Sequence, residues 1–209
     1  MPSAKRRRLA QVNPSIDGVV LGTRSNTAKL LRLHVGAVDS VLPTCALLPF
    51  LRVGSFAFAD RLGWYLAEGE ALPSGAFPRP DGDTVDVFRS ARLPAQENCV
   101  ASVVRASSSY HGRPVFSFVE VDAGDDGVWY AQVLLLFCCV VHGVREGLAL
   151  VSYLEEKRGA RLTPNNRTFR WFSRFPDCVP LARVRRAVLI IAAEEEAALP
   201  NPEFVLIDH

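Results

Sequence analysis

Two adjacent cysteines and a nearby histidine are the residues of this chain with the most evident chemistry. Cys138 and Cys139 lie near the end of a long apolar run, and two valines separate them from His142. A cysteine activated by a histidine is a common thiol nucleophile, and it reacts as its thiolate. The stretch therefore poses a choice between a thiol-dependent active site and a segment of hydrophobic core.

The spacing of the two cysteines favours the core. Residues 128–141 form an apolar run that predicts a strand, and neighbouring side chains of a strand point to opposite faces. Strict alternation places Cys138 with Tyr130 on one face and Cys139 with Ala131 on the other. Because both faces are apolar, we expect the strand to be buried on both sides, where a thiol is inert.

The six residues after this strand predict a hairpin. The segment HGVREG, residues 142–147, leads into a second apolar segment, residues 147–156. Glycines at 143 and 147 could supply the positive φ angles that a tight return needs. We therefore expect the two apolar segments to pair antiparallel.

Motifs for other chemistry are missing from the sequence. It contains no glycine-rich phosphate loop, no H-E-x-x-H and no G-x-S-x-G. The five cysteines are odd in number and include no C-x-x-C pair, which argues against a disulfide framework and a zinc site. We predict a protein that is not an enzyme, with no cofactor, no metal and no small-molecule substrate.

Short strand-like segments dominate the second part of the chain. They are rich in Val, Leu, Phe and Tyr, and most are bounded by Gly, Pro, Asp or Asn. Their residues are 84–93, 99–106, 114–122, 128–141, 147–156, 168–175, 186–193 and 203–208. Closely spaced strands without long amphipathic helices predict a mainly β fold of the α+β kind, a small curled antiparallel β-barrel with a few short helices.

Changes in composition divide the chain into four parts. Residues 1–16 are a basic tail that we expect to be disordered, and residues 17–66 are an amino-terminal β/α segment. Residues 67–83 are a loop rich in proline and glycine, and residues 84–209 form the predicted β-barrel domain.

Charge and hydropathy limit the kinds of partner. The net charge is only +2, so binding to nucleic acid would depend on a local patch. The longest apolar run, residues 133–141, is shorter than the ~20 residues of a membrane-spanning helix, and we expect no membrane contact. A basic cluster that could act as a nuclear import signal predicts a nuclear protein, otherwise a cytoplasmic one. It consists of Lys5, Arg6, Arg7 and Arg8.

Two sets of side chains could bind a partner without catalysis. Aromatic residues near strand ends either pack in the core or hold a cation through cation–π attraction. They are Trp129, Tyr130, Tyr153, Trp171 and Phe172. A second set, of arginines, could contact DNA phosphates. These are Arg170, Arg174, Arg183, Arg185 and Arg186.

The order of four segments resembles the carboxy-terminal part of transposase-like proteins encoded by DNA transposons of fungi, oomycetes and algae, of the Plavaka and KDZ kinds. The segments are AQVLLLF (131–137), LALVSY (148–153), VPLARVRRAVLII (179–191) and FVLID (204–208). Gln132 departs from the pattern, in which a basic residue is usual, and so do Leu189 and Ala192, which replace a histidine and a proline. In that family the strand-transfer centre lies upstream of this part, so the resemblance implies an accessory domain without cutting activity.

The strand order is also similar to the bromo-adjacent homology domain, an SH3-like β-barrel module of chromatin proteins that recognises histone tails or other proteins. The two resemblances together imply a non-catalytic, transposon-derived nuclear binding module that contacts chromatin protein, a histone tail included, or DNA. Two alternatives stay open. One is a thiol-dependent enzyme that uses Cys138 or Cys139 with His142, and the other is a structural domain that self-associates through an exposed strand edge.

Overall fold

The computed structural model describes most of the predicted barrel and parts of the amino-terminal half. Its described residues are 15–16, 19–21, 31–40, 58–67, 78–95, 101–111, 113–157, 166–172, 176–192 and 203–207. Several predicted features lie outside them. These are the import signal Lys5–Arg8 with the rest of residues 1–14, most of the loop at 67–83, and Cys45, Cys99 and Arg174.

Strands make up most of the described residues, which contain a single α-helix, α1 (Phe58–Leu66). The strands are β1 (Ser15–Ile16), β2 (Val19–Leu21), β3 (Leu31–His34), β4 (Thr84–Phe88), β5 (Ser90–Leu93), β6 (Ser102–Tyr110), β7 (Arg113–Phe116), β8 (Phe118–Asp122), β9 (Val128–Val141), β10 (Val144–Glu156), β11 (Asn166–Trp171), β12 (Asp177–Pro180), β13 (Val184–Ala192) and β14 (Phe204–Ile207). The prediction of a mainly β protein is confirmed. The last two residues of the predicted disordered tail, Ser15 and Ile16, form β1.

The strands form two antiparallel sheets. The smaller sheet has the order β1-β2-β5-β6-β7, and the larger one has the order β12-β10-β11-β14-β13-β8-β9-β4-β3. An additional pairing of β10 with β9 joins six strands of the larger sheet into a ring over part of their length, β8-β9-β10-β11-β14-β13. The ring gives the fold its barrel-like character.

Two predicted strands are each divided between the sheets. Residues 84–93 separate at Arg89 into β4 of the larger sheet and β5 of the smaller one, and residues 114–122 separate at Ser117 into β7 and β8. Backbone hydrogen bonds secure both crossings, from Ala106 N to Arg89 O and from Ser117 N to Arg105 O, each 2.9 Å long. Hydrophobic pattern alone cannot reveal such a crossing, because the segment stays extended through it.

The longest hairpin joins β9 to β10. The 128–141 strand has the predicted bounds, but the turn contains only His142 and Gly143, with φ angles of 50° and 78°. Two central residues with positive φ are the pattern of a type I′ turn, which suits the twist of paired strands. The predicted role of Gly147 in the turn was wrong, since it lies inside β10 opposite Cys138.

A β-bulge changes the faces of β9. Leu150 pairs with Leu135 and Val151 pairs with Val133, so Leu134 has no position of its own opposite β10. The extra residue reverses which side chains point inward. Cys138 consequently lies on the side of Ala131, and Cys139 lies on the side of Tyr130, which corrects the strict alternation expected from the sequence.

The core has two parts, one on each side of β9 and β10. The first fills the ring and extends under α1, where Phe58 packs edge-on against Phe137 with ring centroids 5.1 Å apart. The second lies between the ring and the smaller sheet and includes Leu93, Val104 and Val133. This double burial explains why β9 is apolar on both faces.

Candidate binding cleft

A cleft of about 220 Å³ opens at the end of the ring where β9 begins and β10 ends. Its walls are mainly aromatic and aliphatic, with charged side chains at the rim. They consist of Val128, Trp129, Tyr130, Leu154, Glu155, Glu156, Arg167, Phe169 and Phe172. We call this site the aromatic cleft.

The first aromatic wall is centred on Trp129. Its ring meets the Tyr153 ring edge-on at a centroid distance of 5.1 Å and the Phe172 ring at 5.8 Å. Burial raises the pKa of Tyr153 to about 12, so its hydroxyl is neutral at physiological pH. Phe172 is 54% exposed, which leaves a large apolar ring at the rim.

The second aromatic wall is formed by Tyr130 and Phe169, whose centroids are 4.9 Å apart. The guanidinium carbon of Arg167 lies 5.2 Å from the Tyr130 centroid and 5.3 Å from that of Phe169. Both distances are within the roughly 6 Å over which a cation is attracted to a ring face. The cleft therefore already holds one cation of the chain itself.

Two carboxylates at the end of β10 set the charge of the rim. Glu155 accepts a hydrogen bond from Arg170 Nε at 2.6 Å, and Glu156 forms an ion pair with Arg167. The register of β10 with β11 explains the first contact, since Glu155 lies directly opposite Arg170. Each carboxylate is thus matched by one arginine of β11.

The Tyr130 hydroxyl connects the cleft to a buried ion pair. It accepts a hydrogen bond from Arg167 Nη1 at 3.2 Å and donates one to Glu120 Oε1 at 3.4 Å. Glu120 is buried and also accepts from Arg186 Nη2 at 2.6 Å. Strand pairing places Arg186, Glu120 and Tyr130 side by side on β13, β8 and β9, so the network fixes the Tyr130 ring.

The structure places the five predicted aromatic residues in two locations. Trp129, Tyr130 and Phe172 line the aromatic cleft, and Tyr153 packs against Trp129. Trp171 instead belongs to the core of the ring, where its centroid is 4.9 Å from that of Phe204.

The sequence did not predict several of the residues that line the cleft. These are Phe169, Arg167, Glu155 and Glu156. A usable signal exists for Phe169, because Arg167, Phe169 and Trp171 alternate and so share one face of β11. No local signal exists for the carboxylates, whose place depends on how the ring is assembled.

The predicted phosphate-contacting arginines are dispersed, and several are engaged within the chain. Arg170 pairs with Glu155, Arg186 pairs with Glu120, and Arg183 Nε donates to the Asp122 backbone oxygen at 2.8 Å. Arg185 is partly buried on β13. A phosphate would have to compete with these contacts.

The thiols of β9 lie apart from the imidazole. Cys138 and Cys139 are each 2% exposed, whereas His142 is exposed at the turn and hydrogen-bonds to neither sulfur among the described residues. Burial raises the pKa of Cys139 to about 12. Burial also raises the pKa of Cys138, and Arg145 only partly opposes this effect.

Over the same described ranges, no group of three or more His, Cys, Asp or Glu side chains could hold a metal ion. The one α-helix found there, α1, is too short to cross a membrane.

Comparison of the chain with models of protein families, with curated proteins and with solved structures found no match. The resemblances to transposase-like proteins and to the bromo-adjacent homology domain stay predictions.

Proposed function

We propose that this chain is a non-catalytic binding module that receives a cationic side chain of a protein partner in the aromatic cleft. The observation that carries the proposal is the combination of four aromatic rings and two carboxylates around one opening. The rings are those of Trp129, Tyr130, Phe169 and Phe172, and the carboxylates are Glu155 and Glu156.

Ring faces and carboxylates together favour a cation that can shed its water. A cation over a ring gains about 0.5 to 2 kcal/mol, and more where water is excluded. Glu155 and Glu156 are each paired with an arginine of β11, so they attract a ligand cation at short range, once that arginine moves aside. Lysine, methylated lysine and arginine side chains all have this chemistry, and histone tails are rich in them.

The ring of strands supports the finer proposal that the module is of the SH3-like, bromo-adjacent homology kind. In this proposal the chain is transposon-derived and acts in the nucleus, where its cationic partner is a chromatin protein such as a histone tail. The burial and raised pKa of Cys138 and Cys139 support the non-catalytic part of the proposal.

Binding to DNA is the version of the proposal with less support. Arg170 and Arg186 are paired with carboxylates, and each pairing lowers the charge available to phosphates. A salt-dependent interaction with duplex DNA that survives loss of the cleft aromatics would favour this version instead.

The test compares two versions of one short peptide, with a lysine or with a trimethylated lysine at the same position, by isothermal titration calorimetry. We expect the unsubstituted protein to bind the peptides and Phe172→Ala to weaken this binding by about 2- to 5-fold, because one exposed ring face is lost. Tyr110→Ala is the matched control, since Tyr110 is also a large exposed aromatic residue but does not line the cleft. Equal losses in both variants, or no binding to the unsubstituted protein, would refute the proposal.

Self-association is a second candidate function, favoured by an exposed apolar patch. Leu189 and Ile191 of β13 are 51% and 46% exposed and lie opposite Ile207 and Val205 of β14. A second copy of the chain could cover them. Light scattering over a concentration series would show a rise in mass that Leu189→Glu abolishes, and a constant monomer mass would exclude it.

A further inference from the structure

Arg167 occupies the cation position of the aromatic cleft in the free protein. Its guanidinium lies over the faces of both Tyr130 and Phe169, with the distances already given. It also pairs with Glu156 and donates to the Tyr130 hydroxyl at 3.2 Å. An incoming cation would therefore need the same rings and the same carboxylate.

The contacts of Arg167 can be replaced by contacts with water or with a ligand. Its side chain and that of Glu156 are 39% and 35% exposed, so water can solvate either one after separation. The backbone of Arg167 is held by pairing with Leu206 of β14. The long side chain can rotate out of the cleft while the strand stays in place.

We propose that Arg167 is an internal competitor: it fills the cation position when the cleft is empty, and a ligand cation displaces it. This inference rests on the function proposed for the cleft. The apparent affinity for a ligand is then reduced by the fraction of molecules in which Arg167 is seated. The same exchange selects against strongly hydrated cations, because the ligand must replace a guanidinium that is itself weakly hydrated.

Arg170 provides a control for charge alone. It lies three residues away on the same strand, pairs with the neighbouring carboxylate Glu155, and is exposed. The structure shows it over no ring of the described residues, whereas Arg167 covers two. Replacing either arginine with glutamine removes one positive charge beside the cleft, but only the first replacement uncovers ring faces.

The test measures binding of the peptide with a trimethylated lysine to the full chain and to its Arg167→Gln and Arg170→Gln variants. We expect Arg167→Gln to bind roughly 5- to 10-fold tighter, and Arg170→Gln to change the affinity by about 2-fold or less. In the unsubstituted protein, the side-chain Nε–H signal of Arg167 should move during a nuclear magnetic resonance titration as the guanidinium enters solvent. Urea unfolding of the three proteins verifies that each one is folded.

The possible outcomes separate this inference from the proposed function. Equal tightening in both variants would overturn it, because charge alone would then explain the change. Weaker binding by Arg167→Gln would also overturn it, as Arg167 would then be part of the ligand site, while the function of the cleft would stand. If the unsubstituted protein does not bind the peptide, the proposed function fails, and if Arg167→Gln does not bind it either, this inference fails as well.

Discussion

Arg145 donates two hydrogen bonds to the sulfur of Cys138, from Nη2 at 3.0 Å and from Nε at 3.2 Å. The same guanidinium reaches Asp86, which Arg32 also contacts at 2.8 Å. The expectation that Cys138 faces only hydrocarbon was therefore wrong. A guanidinium favours the thiolate, but burial and the Asp86 charge oppose it, and the pKa of Cys138 is raised.

The first prediction concerns alkylation of the native thiols. We expect Cys138, Cys139 and Cys178 to react with iodoacetamide at pH 7.5 at least about 100-fold more slowly than in urea, because burial and a raised pKa reduce both access and thiolate. Mass spectrometry of peptides reads each site separately. Rapid labelling of Cys138 would instead mean that Arg145 activates it, and would favour a thiol-dependent enzyme.

The second prediction concerns stability at alkaline pH. Folding raises the pKa of Cys139 to about 12, so between its unfolded pKa and that value the unfolded chain loses a proton that the folded chain keeps. The contribution of this thiol to stability is therefore fully present below about pH 8.5 and is lost above it, by up to about 1.4 kcal/mol per pH unit for each such thiol.

Urea unfolding from pH 8 to pH 10 measures this fall. Cys139→Ala should lower stability near pH 8 through lost packing, and it should make the alkaline decline less steep, so the difference between the two proteins should narrow as the pH rises. An unchanged slope in the variant would show that Cys139 is not a source of the alkaline loss.

The strand β9 shows what the sequence could predict and what it could not. Its bounds follow from composition, because the apolar run is continuous and Gly127 and His142 bound it. The bulge at Leu134 does not, since it depends on the register with β10. This one extra residue determines in which part of the core each cysteine lies.

The aromatic cleft was predictable only in part, for the same reason. Trp129, Tyr130 and Phe172 could be chosen as aromatic residues near strand ends, which is a local property. Phe169 joins them because β11 returns to β10 after an intervening segment of the chain, with Phe169 opposite Glu156. Such a pairing over distance leaves no trace in local periodicity.

The third prediction concerns the ion pair beneath the cleft. Glu120→Ala would leave the Arg186 guanidinium without its carboxylate and the Tyr130 hydroxyl without its acceptor. We expect a loss of about 2 kcal/mol in the free energy of unfolding, less than the ~3–5 kcal/mol of a fully buried pair, because Arg186 is about one-third exposed.

Glu155→Ala is the matched control for this loss. It breaks a pair of the same type with Arg170, but both partners are partly exposed, so we expect a cost below about 0.5 kcal/mol. Urea denaturation gives both values. Similar costs for the two substitutions would show that the buried position of Glu120 adds nothing.

The last prediction concerns the turn between β9 and β10, in which His142 is a turn residue and not the partner of a reactive thiol. His142 has a φ of 50°, a conformation that asparagine adopts more easily, and Gly143 follows with 78°. We expect His142→Asn to raise the free energy of unfolding by about 0.3 to 0.5 kcal/mol, since Asn-Gly is the preferred type I′ pair. Gly143→Ala should lower the free energy of unfolding by about 1 kcal/mol, because the positive φ strains a residue with a side chain. A steric clash should add nothing, since a Cβ at this position would meet no atom within 4 Å. His142→Asn should also leave the alkylation rates of Cys138 and Cys139 unchanged, and a marked slowing of either rate would restore His142 as the partner of a thiol.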